Sequence, residues 1–316
     1  MNAPIPARRG LLSLLGLLAT LSACLGLISA GRAETANTYQ VTLNWPVAKG
    51  GKAPRYGHCD ASGIAVSPSG QVFVFQRGQY PVLIFDQKGQ FVRAWGKGLF
   101  KTPHGCRFDP EGNLWLTDLD LQQVFKYTPD GKLLQSWGTR GKRGADSRHF
   151  NEPTDIAFAP NGDVFISDGY QNNRVVHLSH DGTFLGQWGT KGAAPGQLHL
   201  PHSIAVDANG LVYVADRGNL RLQVFQPDGT FVAQWRGMGY LNGIWITPDQ
   251  KLLAVEGYTG TLRVYDLNGN LLGTSAGNGK YPGQLLGPHM VTADPQGNVY
   301  VAEIDNRRAQ RFTPAP

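Results

Sequence analysis

From residue 38 onward, apolar and polar positions alternate in short runs, and each run stops at a turn built on Gly, Asp, Asn or Pro. This two-residue period, rich in β-branched and aromatic side chains, predicts half-buried strands. One class of run ends in an acid: Leu114-Trp-Leu-Thr-Asp118, Val164-Phe-Ile-Ser-Asp168, Val212-Tyr-Val-Ala-Asp216 and Val299-Tyr-Val-Ala-Glu303. The run after it leads into Pro129-Asp-Gly131, His180-Asp-Gly182, Pro227-Asp-Gly229 or Leu267-Asn-Gly269, and the next ends at Trp95, Trp137, Trp188 or Trp235. Asx-Gly between alternating runs is a hairpin signal, because these residues accept the positive φ of a tight turn. No segment past residue 38 keeps a 3.6-residue apolar period, so almost no helix is expected.

The runs form a repeated unit. Aligned at one position, the copies fall at residues 62, 104, 154, 202, 242 and 289, a spacing of 40 to 50 residues. Four strands at this length make one propeller blade. The expected fold is all-β: a six-bladed β-propeller of four-stranded blades occupying residues 34–316 as a single domain. The sixth copy lacks its last strand, and the first is preceded by a surplus run, Tyr39-Gln-Val-Thr-Leu-Asn-Trp45. This N-terminal strand is expected to complete the last blade, which closes the ring and removes an open edge.

The aligned position reads Ser62, His104, Thr154, His202, Asn242, His289. Every second blade thus carries a histidine after a proline: Pro103-His104, Pro201-His202 and Pro288-His289. In a closed six-fold ring these imidazoles would face the axis about 120° apart. Three imidazoles with an open fourth position form a known catalytic zinc arrangement. A lone histidine is usually an ordinary hydrogen-bonded side chain, but a structural role would not require alternate blades. His58, His149, His177, His180 and His199 lack this register and read as surface or loop residues.

The position after the second-strand acid (Gln76 in the first copy) should face the same mouth. It holds Arg77, Leu119, Gly169, Arg217, Gly257 and Ile304. The two arginines belong to opposite blades, and Tyr170 follows Gly169. Guanidinium groups bind carboxylates in bidentate fashion, so a metal, two arginines and a phenol suit a small anionic substrate. The plain alternative pairs each arginine with a nearby acid, such as Asp216 beside Arg217.

Residues 1–33 read as a signal peptide: Arg8 and Arg9 precede an apolar stretch from Leu11 to Leu27. The chain is therefore expected to be exported, periplasmic or secreted. Leu21-Ser22-Ala23-Cys24 also has the form of a lipobox, so membrane anchoring through a lipidated Cys24 stays open. Without this segment 26 basic side chains face 23 acidic ones, and no Lys/Arg run argues for nucleic acid. A monomer is expected. Cys59 and Cys106 fall near the top of neighbouring blades, where a disulfide and two separate thiols are both open.

Together the residues resemble a known family. The repeats resemble NHL repeats, and the stretch from about Ile64 to Phe225 is similar to peptidyl-α-hydroxyglycine α-amidating lyase (peptidylamidoglycolate lyase). The resemblance rests on Phe75-Gln-Arg-Gly78, Pro103-His-Gly105, Phe150-Asn-Glu-Pro-Thr-Asp155, Ser167-Asp-Gly-Tyr-Gln-Asn-Asn-Arg174, Pro201-His-Ser203 and Val214-Ala-Asp-Arg217. It weakens from 230 to 285 and returns at Pro288-His289. The resemblance implies that His104, His202 and His289 bind zinc, that Tyr170 is the general base, and that Arg77 and Arg217 hold the carboxylate and developing oxyanion. It also implies a channel calcium held by backbone carbonyls at Ile64 and Cys106 and by an aspartate. Met290 stands in that aspartate's place and offers no hard oxygen, which sets the calcium expectation against this chain's own residues. The family's disulfide beside the tyrosine is absent, because its positions read Gln171 and Asn151.

The implied reaction cleaves the C–N bond of an N-acyl-α-hydroxyglycine to an amide and glyoxylate. Its substrate would be a small anion or a peptide C-terminus, and ureidoglycolate has the same reacting centre. Two other readings stay open. One is a non-catalytic propeller that binds a protein or small-molecule partner. The other is a metal-dependent hydrolase, which would be expected to place carboxylates at the axial positions, where none occurs.

Overall fold

The computed structural model describes residues 38–46 and 60–316. They form six antiparallel four-stranded sheets, and the sole helical element among them is a 3₁₀ turn, Arg217–Asn219. The innermost strands are Ala61–Val66, Pro103–Phe108, Asp155–Phe158, Pro201–Val206, Leu241–Ile246 and Pro288–Ala293. Each neighbours the next round the ring, and the sixth meets the first. The architecture is the six-bladed propeller read from the repeat.

The N-terminal strand does complete the last blade. Tyr39, Gln40 and Val41 pair with Pro314, Thr313 and Phe312. It is shorter than the expected Tyr39–Trp45: the regular strand ends at Val41, and Asn44 adopts φ 61°. Trp45 still does what the other terminal tryptophans do. In four blades the tryptophan ending the outer strand covers the turn glycine of the following blade, as Trp95 covers Gly131; Trp45 covers Gly89. At Gly89 φ is +84°, and an added Cβ would stand 2.6 Å from the Trp45 ring. Glycine is therefore needed there for both backbone and space.

The strand-ending acids are structural pins. Asp118 accepts from the backbone N–H of Lys101, Thr102 and Leu121. Asp216 accepts from the N–H of His199 and from Asn219 and Arg221, while Glu303 does the same with Leu286, Asn306 and Arg308. Each acid thus holds the loop that leads into its own blade's inner strand. Burying a carboxylate is tolerable only when its oxygens are satisfied this way. The residues at the start of each inner strand inherit that rigidity.

Candidate active site

His104, His202 and His289 occupy the first turn-ward end of alternate inner strands and converge on the axis. Their ring centroids are 4.7, 4.6 and 4.8 Å apart, a near-equilateral triangle. One potential ligand nitrogen from each lies within 4.8 Å of the others. All three rings are buried.

The intervening blades orient them. His104 Nδ1 is 2.7 Å from the Thr154 carbonyl, His202 Nδ1 is 2.6 Å from that of Asn242, and His289 Nδ1 is 2.6 Å from that of Ser62. A carbonyl only accepts, so each Nδ1 carries the proton and each neutral ring turns its Nε2 lone pair inward. The residues of the other three copies thus form the outer shell of a metal site. Gly105 makes one of these contacts feasible, since a Cβ there would stand 2.5 Å from the Thr154 oxygen.

Three lone pairs facing one another is an unfavourable arrangement unless a cation or donors meet them. The Tyr170 hydroxyl lies 3.2 Å from His202 Nε2 and 3.4 Å from His104 Nε2, and its single proton can serve only one of them. Protonating the rings is no remedy. Burial foremost, then the charges of His289 and Arg77, hold His104 well below the usual imidazole range. Burial and Arg217 do the same for His202, and burial pushes His289 down to about 3 despite its bond to Ser62. Zinc–nitrogen bonds are about 2.0–2.1 Å long, so one ion is within reach of all three after small ring rotations. The donor set fits zinc.

The same shifts have a consequence for the metal-free fold. In the unfolded chain these imidazoles take up protons near pH 6.5, whereas in the fold they stay neutral far lower, to about 3 for His289. Between those limits the unfolded chain binds more protons, so stability falls as pH drops, by up to about 1.4 kcal/mol per pH unit for each histidine. Denaturant unfolding of the metal-free protein between about pH 7 and pH 5 should show this slope, and His202→Ala should reduce it by that histidine's share. An equal slope in the variant would contradict neutral burial of His202.

Tyr170 is half-buried at the end of its blade's second strand, and Gly169 lets it lie there. A Cβ at Gly169 would stand 1.8 Å from the Pro201 carbonyl oxygen, pushing the segment off the strand that bears His202. Arg217 lies over the Tyr170 ring at 5.3 Å and over Tyr240 at 4.7 Å. Tyr240 in turn stacks on Tyr258 at 4.5 Å, and Tyr258 is 70 % exposed. Neither Arg77 nor Arg217 makes an ion pair among the described residues. The Asp216 carboxylate goes to Arg221 at 2.7 Å rather than to Arg217. Arg217 is 6 % exposed; its Nη1 donates to Asn242 Oδ1 at 3.0 Å, and its Nε is buried with no acceptor. Arg77 is exposed, with Nε 3.3 Å from the Pro103 carbonyl. Both guanidinium charges are felt at His104 and His289.

The remaining sequence candidates sit elsewhere. Ile64, Cys106 and Met290 are buried inner-strand residues, and Cys106 is a free thiol that burial pushes up. Cys59, His58, Cys24 and the signal segment lie outside the described residues. His149, His177 and His180 stand beside Asp146, Asp163 and Glu111, away from the triangle. Sequence reasoning missed Tyr240, in the stretch where the repeat pattern is weakest, and the three outer-shell carbonyls.

Comparison with known proteins agrees with this architecture. The NHL repeat model matches residues 150–178 and 198–225. The chain is 33 % identical over 302 residues to human NHL repeat-containing protein 3, covering 87 % of this chain and 84 % of that one. It is 34 % identical over 253 residues to Drosophila melanogaster peptidyl-alpha-hydroxyglycine alpha-amidating lyase 1, covering 71 % of this chain and 47 % of the fly protein. A gluconolactonase from Xanthomonas campestris shares the fold alone, with TM-score 0.63 at 16 % identity over 89 % of this chain and 96 % of that one. The chain belongs to the family of NHL-repeat propellers that includes NHL repeat-containing protein 3 and the peptidyl-α-hydroxyglycine amidating lyases.

Proposed function

We propose that the protein is a zinc-dependent carbon–nitrogen lyase that cleaves an N-acyl-α-hydroxyglycine, or a small carbinolamide such as ureidoglycolate, to an amide and glyoxylate. The observation that carries this reading is the cluster itself: three neutral imidazoles, a phenol hydroxyl touching two of them, and a buried arginine without a counter-ion among the described residues. The donor set His104, His202 and His289 would hold the zinc, which would supply Lewis acidity and lower the pKa of a hydroxyl presented to it.

The chain's own residues account for the rest. Arg217 and Arg77 meet the carboxylate of the substrate. Tyr170, between Arg217 and two of the imidazoles, acts in its ionised form and takes the proton from the α-hydroxyl, becoming a phenol. The oxygen's electron pair then forms the aldehyde, the C–N bond breaks, and the departing nitrogen receives a proton from the Tyr170 hydroxyl. Reactant and products balance as R–CO–NH–CH(OH)–COO⁻ giving R–CO–NH₂ and OHC–COO⁻. We further propose that this takes place outside the cytoplasm, in line with the export signal read from residues 1–33.

Zinc-loaded protein incubated with α-hydroxyhippurate and, separately, with ureidoglycolate should release glyoxylate from at least one, and Tyr170→Phe should lose at least about 100-fold while still binding zinc. Stoichiometric zinc protein that releases none from either would end the lyase reading. It would favour a propeller that only binds a partner.

A further inference from the structure

At the other end of the inner strands the channel is occupied by a side chain. Arg107, one residue from the end of its inner strand, is 2 % exposed and its guanidinium crosses the ring. Nε and Nη2 form a bidentate pair with Asp155 at 3.0 and 2.7 Å. Nη1 donates to the Val291 carbonyl at 2.9 Å, and Nη2 also donates to that of Ile244 at 3.1 Å. Trp245 flanks the guanidinium at 5.1 Å. Ser203 hydroxyl donates to Asp155 at 2.6 Å and accepts from the N–H of Ile244 at 3.0 Å. One network thus joins the second through sixth blades. Below it opens a cavity of about 360 Å³ lined by all six blades.

This is where calcium chemistry fails. A calcium ion takes six to eight oxygen ligands, and it was expected among the inner strands at Ile64, Cys106 and position 290. The side chain at 290 is a thioether, and Met290 Sδ lies 3.9 Å from Arg107 Nη2. The Asp155 carboxylate and the carbonyls of Ile244 and Val291, the kinds of oxygen a cation would use, are already turned to the guanidinium. A divalent ion placed beside it would be repelled and would find those oxygens spent.

We propose that Arg107 is a built-in replacement for a channel cation, so that the ring is closed electrostatically by its own side chain and binds no calcium there. The guanidinium is permanently charged and satisfied by fixed acceptors. The inference stands whether or not the lyase reading does, because it rests on Arg107 and its acceptors and not on the histidine ring nitrogens.

The first test uses the wild-type protein with zinc supplied. Extracellular modules bind calcium at 10⁻⁴–10⁻³ M, so equilibrium dialysis against about 1 mM calcium chloride, with metal analysis and a thermal melt, is decisive. No stoichiometric calcium and an unchanged melting temperature are expected; about one ion per chain with a raised melting temperature would overturn the proposal. The second test combines Arg107→Met with Met290→Asp. A melting temperature that rises with calcium is expected, since the obstructing charge is gone and a hard ligand restored. A folded double variant with no calcium response would count against the guanidinium filling an ion's place. If that variant does not fold, the wild-type measurement still decides.

Discussion

His202→Ala should lose both zinc and turnover. The side chain is fully buried, its Nδ1 is fixed by the Asn242 carbonyl and its Nε2 touches Tyr170. Disturbing only an outer-shell partner of a metal ligand costs about 10–100-fold in affinity or activity, so removing a ligand should cost more than about 100-fold in zinc affinity. The thermal readout is equally direct. Zinc at about a thousand times its Kd stabilises a fold by about 4 kcal/mol, a shift wild type should show and His202→Ala should not. His180→Ala, on an exposed side chain, should behave as wild type. A His202→Ala protein that keeps stoichiometric zinc and glyoxylate release would remove the site proposed here.

Arg217→Met should make the protein more stable and much less active. Arginine stays charged, and this one is buried without an ion-pair partner among the described residues and with its Nε unsatisfied. The two tyrosine faces repay part of that cost, but not a missing counter-ion. An apolar side chain of similar length should gain on the order of 1 kcal/mol, or about 2–4 °C in melting temperature for a domain of this size. Catalysis should move the other way, with kcat/KM falling about 10²–10³-fold, as when a preorganised donor to developing negative charge is removed. A lower melting temperature with activity retained would make Arg217 a packing residue only.

Much of the fold could be read from the chain because each blade repeats its instructions. The strand-ending acids, the Asx-Gly turns and the terminal tryptophans recur in register, and the surplus run at Tyr39 matched the deficit after Phe312. What escaped notice depended on contacts between blades. The outer-shell acceptors are backbone carbonyls, which carry no side-chain signature. Their only trace was the alternation of Ser62, Thr154 and Asn242 with the histidines. Asp216 turned away from Arg217 because the repeated acid already pins its own blade's loop, a job the pattern displays in Asp168-Gly-Tyr-Gln-Asn172 and Glu303-Ile-Asp-Asn306. Arg107 reads as one polar residue in an apolar strand, and nothing local says that its acceptors lie one, three and four blades onward. The strand at Tyr39 stopped early because the chain turns at Asn44 to carry Trp45 onto Gly89.

X-ray absorption at the zinc edge, on wild type and His202→Ala each given one equivalent of zinc, tests the shared ion most directly. Three imidazole nitrogens at about 2.0 Å are expected in the wild type, with that signature lost in the variant. A wild-type spectrum with fewer than three imidazoles, or one unchanged by the substitution, would contradict a single cation held by alternate blades.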